Sequence, residues 1–156
     1  MAPASLPTDD PIVAALLAGP NLARLAYISV GGKPRVVPIW FAHDGGDLIM
    51  VTGPRAAKLR ALENNPAVAV TIDSSTPPYK VLLIEGEAAL EPVEGMAPEY
   101  RPIVERYLGV AAEAYLKQLL PRVKQQVRIR ISPRTWRVFD FIKRYPEVWN
   151  EDIGEE

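Results

Sequence analysis

Two glycine-rich turns divide the first half of the chain into short apolar segments, and this pattern restricts the fold more than any other feature. A Gly-Gly pair separates residues 22–30 from residues 35–42, and an Asp-Gly-Gly sequence separates the latter from residues 48–52. Glycine adopts the positive φ angles that tight hairpin turns require, so neighbouring segments are predicted to form antiparallel strands. The N-terminal half is therefore predicted to be a set of β-hairpins.

The rest of the chain alternates short strands with a few helices. Asp9 or Asp10 can cap a short helix with Pro11 in its first turn, and a second helix is predicted to run from Pro54 to about Asn65. Antiparallel strands with so few helices close most easily into a small barrel, which indicates a mainly β protein. Further elements are predicted as strands over residues 68–73, 80–90, 126–132 and 135–141, with a bulge at Gly86, and a late helical pair over residues 95–120.

Proline is unusually frequent and places one constraint on the second hairpin. Sixteen prolines in 156 residues is about twice the usual ~5% and favours short strands over long helices. Pro38 lies inside the alternating segment 35–42 and has no N–H to donate to a sheet ladder. One edge of that strand is therefore predicted to be open, bulged or used for binding.

The composition excludes several classes of protein. A net charge of −1 and a pI near 5.9 argue against a general nucleic-acid-binding protein. The absence of cysteine excludes a disulfide scaffold, a cysteine zinc site and a thiol nucleophile, and the single histidine, His43, cannot form a multi-histidine metal site. No apolar run approaches the ~20 residues of a membrane span, and no signal peptide is recognised, so the cytoplasm is the expected compartment.

The length fits one domain with a real core. We expect a flexible tail over residues 1–10, a single domain over residues 11–145 and an acidic tail over residues 146–156.

The junction between the strand that ends at Thr52 and the following helix is the best candidate for a binding site. Backbone N–H groups in the first turn of a helix lack partners inside it, and Gly53, Arg55 and Lys58 accompany them here. Thr52 can donate a hydroxyl hydrogen bond, and phosphate is the natural ligand for this combination. The alternative interpretation is a solvated basic helix face that is paired with Glu63 or other acids.

Few other residues carry recognisable chemistry. Trp40 and Trp136 could surround a planar ligand, although an isolated tryptophan more often packs in a core. His43 is predicted to be a solvent-facing turn residue, and Arg128 and Arg130 are predicted to form an exposed strand face. The chain has no Walker A sequence, no Gly-x-Gly-x-x-Gly and no Gly-x-Ser-x-Gly, and no catalytic or metal-binding set is recognised. An enzyme of this kind would take its chemistry from a cofactor.

Several motifs follow one another in a fixed order over residues 22–90. A Gly-x-Pro-x-x-x-Pro-x-Trp-Phe strand precedes a Thr-Gly-x-x-x-x-Lys junction, then Leu-x-x-Asn-Pro-x-Val and a strand with Glu-Gly. The residues are Gly32, Pro34, Pro38, Trp40, Phe41, Thr52, Gly53, Lys58, Leu62, Asn65, Pro66, Val68, Glu85 and Gly86. This series resembles the pyridoxamine 5′-phosphate oxidase-like, flavin-binding split-barrel family, in particular its flavin- and deazaflavin (F420)-dependent oxidoreductases. Residues 95–156 match only in the order of their elements.

The resemblance implies a six-stranded antiparallel split β-barrel of the FMN-binding type, which forms a homodimer with two cofactor sites between the subunits. It implies that the flavin ring lies along the strand of Pro38 and Trp40 and that the cofactor phosphate lies at the junction after Thr52. A C-terminal strand of the partner would cover the ring, which makes Trp136 a candidate. The implied cofactor-binding residues are Val36, Val37, Pro38, Ile39, Trp40, Thr52, Gly53, Arg55, Lys58 and Trp136.

The implied function is oxidoreduction, with hydride passing between bound FMN and an unidentified small substrate. F420 is the alternative cofactor, and its longer anionic tail would need further cations, for which Lys33, Arg35 and Arg60 are candidates. Two other functions stay open: a non-catalytic carrier or sensor of flavin or F420, and a heme-binding relative with His43 as the imidazole ligand. Formation of pyridoxal phosphate is not expected, because the additional basic residues for a substrate phosphate are not recognised.

Overall fold

The computed structural model describes residues 4–145, and the predicted acidic tail over residues 146–156 lies outside them. The secondary structure is mainly β, as the sequence predicted. The α-helices are α1 (Pro11–Ala18), α2 (Ala57–Asn64), α3 (Tyr100–Leu108) and α4 (Ala112–Leu119), and short 3-10 turns at Gly109–Ala111 and Leu120–Arg122 follow α3 and α4. The strands are β1 (Ala23–Ile28), β2 (Pro34–Ile39), β3 (Ala42–Asp44), β4 (Asp47–Thr52), β5 (Ala67–Asp73), β6 (Val81–Glu94) and β7 (Gln125–Phe139).

The described strands form one antiparallel sheet whose order requires it to curl into a barrel. The order is β2-β1-β5-β6-β7-β4-β3, so β2 and β3 lie at opposite edges. Only Trp40 and Phe41 separate these two strands along the chain. Since three Cα–Cα steps span at most about 11 Å, the end of β2 and the start of β3 must lie within that distance, although the two strands do not pair. We call this gap the barrel seam. The predicted antiparallel split barrel is confirmed, with seven strands instead of six, and Pro38 lies on an edge strand.

Two predicted strand boundaries are wrong, and both errors have local causes. Residues 35–42 are not one strand, because the chain turns at the barrel seam and continues as β3 on the other edge. The predicted strands 126–132 and 135–141 are one strand, β7, with a bulge in place of a loop. Pro133, which cannot donate to a ladder, lies opposite Gly86 where the register between β6 and β7 shifts. The bulge thus accommodates the proline without ending the strand.

Gly86 is required at this bulge because β6 and β7 approach closely there. A Cβ atom at position 86 would lie 2.4 Å from the carbonyl O of Ser132, a distance that would force the strands apart. The predicted bulge at Gly86 is therefore confirmed, and its cause is the backbone of β7.

The N-terminal helix is capped as the sequence predicted. The Asp10 carboxylate accepts hydrogen bonds from the N–H groups of Ile12 at 2.9 Å and Val13 at 3.4 Å. The residues before the helix are packed on the barrel: Leu6 is 4% exposed, and its N–H lies 3.4 Å from the carbonyl O of Gly46. The segment predicted as a flexible tail over residues 1–10 therefore has an anchored part at Leu6.

Strand β4 is buried on both faces, and this positions the helices over the barrel seam. Leu48 and Met50 face the main core, whereas Ile49 and Val51 belong to a second apolar cluster with Ile103 of α3. Alternate residues of a strand point to opposite faces, so full burial of β4 requires cover on the outside as well. Helix α3 supplies that cover.

Arg128 and Arg130 on β7 form an ion-pair network. Arg128 lies 2.9 Å from Glu91 and 2.8 Å from Glu99, and Arg130 lies 2.9 Å from Glu91 and 3.3 Å from Asp44. Only 16% of the Arg128 side chain is exposed, so the predicted exposed strand face is wrong at this residue. The network joins β7 to β6, to β3 and to the residue before α3.

Candidate functional site

The junction after β4 is longer than the sequence predicted. Strand β4 ends at Thr52 and α2 begins at Ala57, so Pro54 lies in the turn between them and the predicted helix start at Pro54 is wrong. The N–H of Ala56 donates to the carbonyl O of Gly53 at 3.2 Å. This N–H was expected to be free for a ligand and is already bonded.

Two cations of the junction have no carboxylate partner. Arg55 precedes the helix and is exposed, whereas Lys58 lies in the first turn and is half-buried, so the two do not share a helical turn. Neither forms an ion pair within residues 4–145, and the alternative of a basic face paired with Glu63 is not seen there. Burial lowers the pKa of Lys58. A half-buried cation without a counterion is unfavourable, and an anion at this place would relieve that cost.

Arg55 lines a cavity that also contains two cations from a distant part of the chain. The basic cavity, as we call it, has a volume of about 480 Å³ and is lined by Gly53, Pro54, Arg55, Ala56, Arg122, Lys124 and Gln125. Arg122 and Lys124 precede β7, and β7 pairs antiparallel with β4, which brings the start of β7 beside the end of β4. Sequence reasoning missed both residues, because only this pairing places them near Arg55. Within the described chain, neither forms an ion pair.

A second cavity lies at the barrel seam. The aromatic cavity has a volume of about 360 Å³, and its walls come from the end of β2, from β4 and from helices α3 and α4. Its described lining residues are apolar or aromatic, and none carries a charge. They include Pro38, Ile39, Trp40, Val51, Tyr100 and Tyr115.

A smaller cavity of about 120 Å³ lies between the aromatic and the basic cavities. Tyr115 lines both it and the aromatic cavity, and Arg122 lines both it and the basic cavity. A helical rise of 1.5 Å per residue separates these two side chains by about 10 Å. On the barrel side, Val51 of the aromatic cavity is two residues from Gly53 of the basic cavity. The aromatic and the basic cavities therefore lie along one wall, which is formed by α4 and the turn that follows it.

The predicted ring-binding strand, β2, presents its side chains to two sides. Val37 and Ile39 pack against the main core, whereas Val36 is 65% exposed and Pro38 is exposed. Ile39 also reaches the aromatic cavity. Of the five predicted residues on this segment, Pro38, Ile39 and Trp40 meet in that cavity, and Val36 and Val37 do not.

Trp136 lies far from the junction within one chain. Val127 pairs with Thr52, and Trp136 follows nine residues later on the same strand, where it pairs with Ile84. A strand rises about 3.3 Å per residue, which separates Trp136 from Thr52 by about 25–30 Å. Trp136 can join a site at the junction only from a second copy of the chain, as the resemblance implied.

The other candidate cations and the histidine are distributed over the surface. Arg60 and Arg55 line one neighbouring cavity of about 840 Å³. Arg35 lines a different cavity on the outer face of the sheet, and Lys33 is exposed in the turn before β2. His43 is exposed on the edge strand β3. Of the three further cations proposed for a longer anionic tail, Arg60 shares a cavity with Arg55, whereas Lys33 and Arg35 line neither that cavity nor the basic cavity.

Two negative observations concern the part of the chain that the structure describes. It contains no group of three metal-ligating side chains placed to hold a metal ion. None of its helices has the length and the apolar character that crossing a lipid bilayer requires.

The comparison with known families decides the classification. Residues 10–140 match the family model described as pyridoxamine 5′-phosphate oxidase. The chain belongs to this family. The resemblance inferred from the motifs of residues 22–90 is thereby confirmed, and the family match extends through the C-terminal part, which the motifs did not cover. No curated protein has a sequence that matches this family member.

Solved structures of the pyridoxamine 5′-phosphate oxidase fold cover most of the chain. An F420 reductase is 27% identical, with a TM-score of 0.62 over 79% of this chain and 94% of its own. General Stress Protein 26 from Bacillus anthracis str. Sterne is 21% identical, with a TM-score of 0.62 over 85% and 95%. HutZ, the heme storage protein from Vibrio cholerae, is 17% identical, with a TM-score of 0.59 over 84% and 93%. These structures share the fold of this family member.

Proposed function

We propose that this protein binds a flavin-type cofactor, FMN or F420, and uses it as an oxidoreductase on a small substrate. The observation that carries this proposal is the placement of the aromatic and the basic cavities along one wall. A flavin has a planar ring at one end and a phosphate at the other, so it complements both cavities. The likeness to an F420 reductase at 27% identity supports the same class.

The basic cavity would hold the cofactor phosphate. Arg55, Arg122 and Lys124 line the cavity. None of them forms an ion pair with a carboxylate of the described chain, so all three are available to a phosphate. Lys58, in the first turn of α2, is a half-buried cation without an ion-pair partner in the described chain. Charge-assisted hydrogen bonds from such groups to phosphate are the strong ones in proteins, and the Thr52 hydroxyl can add a neutral one.

The number of cations favours F420 over FMN. FMN carries one phosphate, whereas F420 carries a longer anionic tail. The basic cavity borders the cavity of Arg60, and Arg55 lines both. The cavity of Arg60 carries two cations, Arg55 and Arg60, against one carboxylate, Glu63, so a net positive charge continues beyond one phosphate site and suits the longer tail. Arg60, Arg122 and Lys124 would contact that tail, in place of Lys33 and Arg35.

The protein's part in catalysis would be binding and orientation. When bound, the cofactor supplies hydride exchange with a substrate. Pro38, Ile39 and Trp40 would hold the ring end at the aromatic cavity, and the apolar walls there would exclude water. Because the chain has no cysteine and one exposed histidine, no side chain is assigned to proton transfer or to nucleophilic attack.

The cofactor sites would lie between two copies of the chain. Val36 is 65% exposed on the outer surface of the sheet, and Trp136, which pairs with the buried Ile84, is 38% exposed. A mostly apolar cavity of about 500 Å³ lies on that surface. A two-fold dimer that covers this face would bring the partner's C-terminal strand towards the site. We propose such a homodimer, and the cytoplasm as its compartment.

A cofactor carrier or sensor without catalysis is the alternative within the same binding class. It would need the same two cavities and would differ only in the absence of a turnover reaction. Heme binding has less support, because His43 is exposed on an edge strand and lines neither cavity. The absorption spectrum of the purified protein separates the classes, since flavin, F420 and heme absorb at different wavelengths.

The test is a titration of the cofactor-free protein with FMN and with F420. The double variant Arg55→Ala/Lys58→Ala should bind the preferred cofactor at least tenfold more weakly, because each charge-assisted hydrogen bond contributes roughly 1.5–3 kcal/mol. Arg60→Ala should weaken F420 more than FMN, because Arg60 lies beyond the basic cavity. Lys117→Ala is the matched control, because Lys117 is an exposed cation of α4 that lines none of these cavities. Unchanged affinity in the double variant would place the phosphate elsewhere.

A further inference from the structure

Helix α2 and the strands beside it enclose a groove with an apolar floor and a basic rim. This α2 groove is the cavity of about 840 Å³ that Arg55 and Arg60 line, and both arginines are exposed. Its apolar lining residues are Val30, Leu59, Leu90, Pro92 and Val127. Among its described lining residues, Glu63 carries the only carboxylate. An occupant that matches the groove therefore carries apolar and anionic groups side by side.

The basic rim of the α2 groove continues into the basic cavity. Arg55 lines both, and Arg122 and Lys124 line the basic cavity. Within residues 4–145 none of these three cations forms an ion pair, and neither does Arg60. The four cations stand against one carboxylate, so their positive potential attracts a segment that carries several negative charges.

The chain contains a segment of this character, which lies beyond the described residues. Residues 147–156 read Glu-Val-Trp-Asn-Glu-Asp-Ile-Gly-Glu-Glu, with five carboxylates and no lysine or arginine. Val148, Trp149 and Ile153 are interleaved with these acids. Tryptophan is among the residues that most often anchor an interface in an apolar pocket. The segment thus matches the groove in both its charge and its apolar content.

A second copy of the chain is the source of this segment, because Trp149 falls short of the groove of its own copy. Trp149 follows Tyr145 by four residues, which limits their Cα separation to about 15 Å. The N–H of Asp140 donates to the carbonyl O of Arg144 at 3.1 Å, so the chain reverses there and Tyr145 stays near the end of β7. Val127, which lines the groove, lies twelve residues before that end, or about 40 Å along the strand.

We infer that the acidic segment 147–156 of one copy docks in the α2 groove of the other, with Trp149 against the apolar floor and its carboxylates on Arg55 and Arg60. This inference rests on the proposed function, because it concerns the regulation of the same cofactor site. A ligand that extends from the basic cavity into the groove must displace the segment. A ligand that ends in the basic cavity meets the segment only at Arg55. The segment therefore lowers the affinity for F420 more than the affinity for FMN.

Two variants of the cofactor-free full chain test the docking without a change in its charge. Trp149→Ala removes the aromatic anchor, whereas Trp149→Phe, the matched control, keeps an aromatic ring. The measurement is the ¹H–¹⁵N chemical shift of the backbone amides of Val30 and Ala57, which line the groove. These shifts should change in Trp149→Ala and stay close to those of the wild type in Trp149→Phe. Unchanged shifts in Trp149→Ala would overturn the inference.

Mixing two forms of the chain tests which copy supplies the segment. A ¹⁵N-labelled Trp149→Ala chain is exchanged with an excess of unlabelled wild type, which provides a partner with an intact segment. The labelled amides of Val30 and Ala57 should then return to their wild-type shifts. Shifts that stay at their Trp149→Ala values after exchange would overturn docking from a partner copy.

Cofactor titrations separate this inference from the proposed function. Trp149→Ala should bind F420 about threefold to tenfold more tightly than the wild type does, which corresponds to a groove that the segment fills in about two thirds to nine tenths of the molecules. The affinity for FMN should rise less. Equal F420 affinity of the two proteins would overturn the inference and leave the proposed function intact. Failure of both cofactors to bind, with the amide shifts changed and restored as expected, would overturn the proposed function and leave the docking supported.

Discussion

Trp40 and Tyr107 stack face to face at the barrel seam, with ring centroids 5.1 Å apart and planes inclined by 6°. The Tyr107 hydroxyl donates to the carbonyl O of Asn21 at 2.7 Å and lies 3.4 Å from the N–H of Phe41, which donates to it. Helix α3 thereby fixes the Trp40 ring against the seam. These tertiary contacts at the turn between β2 and β3 hold this wall of the aromatic cavity in place.

The first prediction concerns Trp40 and His43. Trp40→Ala should lower any reductase activity at least tenfold, because loss of the stacked ring loosens the wall that would orient the cofactor. His43→Ala should retain most activity, because His43 is exposed on β3 and lines neither cavity. The measurement is steady-state turnover of an active substrate, with cofactor occupancy determined for each variant. Loss of turnover in His43→Ala at full occupancy would contradict the assignment of roles.

The second prediction concerns the bulge at Gly86. Gly86→Ala should destabilise the fold by about 1–3 kcal/mol, because the added Cβ would lie 2.4 Å from the carbonyl O of Ser132. Gly31→Ala is the control, since the nearest atom to its Cβ would be 3.9 Å away. Urea denaturation of the three proteins gives the free energies of unfolding. Equal stability of Gly86→Ala and wild type would mean that β6 and β7 can separate there without cost.

The third prediction concerns the ion-pair network of β7. Arg128→Ala should lower the free energy of unfolding by about 1–3 kcal/mol, because it leaves the carboxylates of Glu91 and Glu99 without their shared partner. Arg134→Ala removes an exposed pair with Glu87 and should cost no more than about 1 kcal/mol. Denaturant midpoints of the two variants provide the comparison. A larger effect of Arg134→Ala would contradict the importance assigned to the partly buried network of Arg128.

The fourth prediction concerns pH. Asp140 accepts backbone hydrogen bonds from the N–H groups of Ile142, Arg144 and Lys143, which lower the pKa of its carboxyl to about 2. Since the folded pKa lies below the ordinary 3.8, the stability it contributes is present above pH 3.8 and is lost as pH falls towards 2. An NMR titration of this carboxyl measures the shift directly.

The matched variant is Asp140→Asn, which has no carboxyl to protonate at that position. Its free energy of unfolding should therefore fall less than that of the wild type between pH 4 and pH 2. A native-state pKa near the ordinary value would show that the turn does not hold the carboxylate.

The fifth prediction concerns the proposed homodimer. Sedimentation should give twice the chain mass of 17.2 kDa. If Trp136 enters the site from the partner, Arg55→Ala/Lys58→Ala and Trp136→Ala should each bind cofactor weakly alone. Mixed after subunit exchange, they should restore about a quarter of the wild-type sites, because each mixed dimer carries one intact site. No restoration, or a monomer that binds cofactor, would contradict the shared site.

Much of the fold was predictable because it depends on local interactions. The hairpin turns need residues that adopt positive φ, and Gly32 and Gly45 have φ of 79° and 60°. The cap at Asp10 needs one side chain and the N–H groups that follow it. The bulge at Gly86 needs a residue without a side chain where two strands approach. Such requirements involve few neighbouring residues, and the residue types that meet them are visible in the sequence.

The junction shows where local reasoning failed. A helix start at Pro54 was consistent with proline's preferred position, yet the chain first forms a turn that bonds Ala56 to Gly53. Both conformations satisfy the local preferences of proline, so the packing of α2 on the barrel decides between them.

The sequence by itself determined the family, the antiparallel barrel and the presence of two cations, Arg55 and Lys58, after β4, because these follow from turn chemistry, alternation and residue type. Only the tertiary structure decided that Arg122 and Lys124 complete the basic cavity and that Tyr115 and Arg122 line a small cavity between it and the aromatic one. The reason is that these positions depend on the pairing of β4 with β7 and on the packing of α4. Contacts between residues so far apart in the chain leave no local pattern from which they could be predicted.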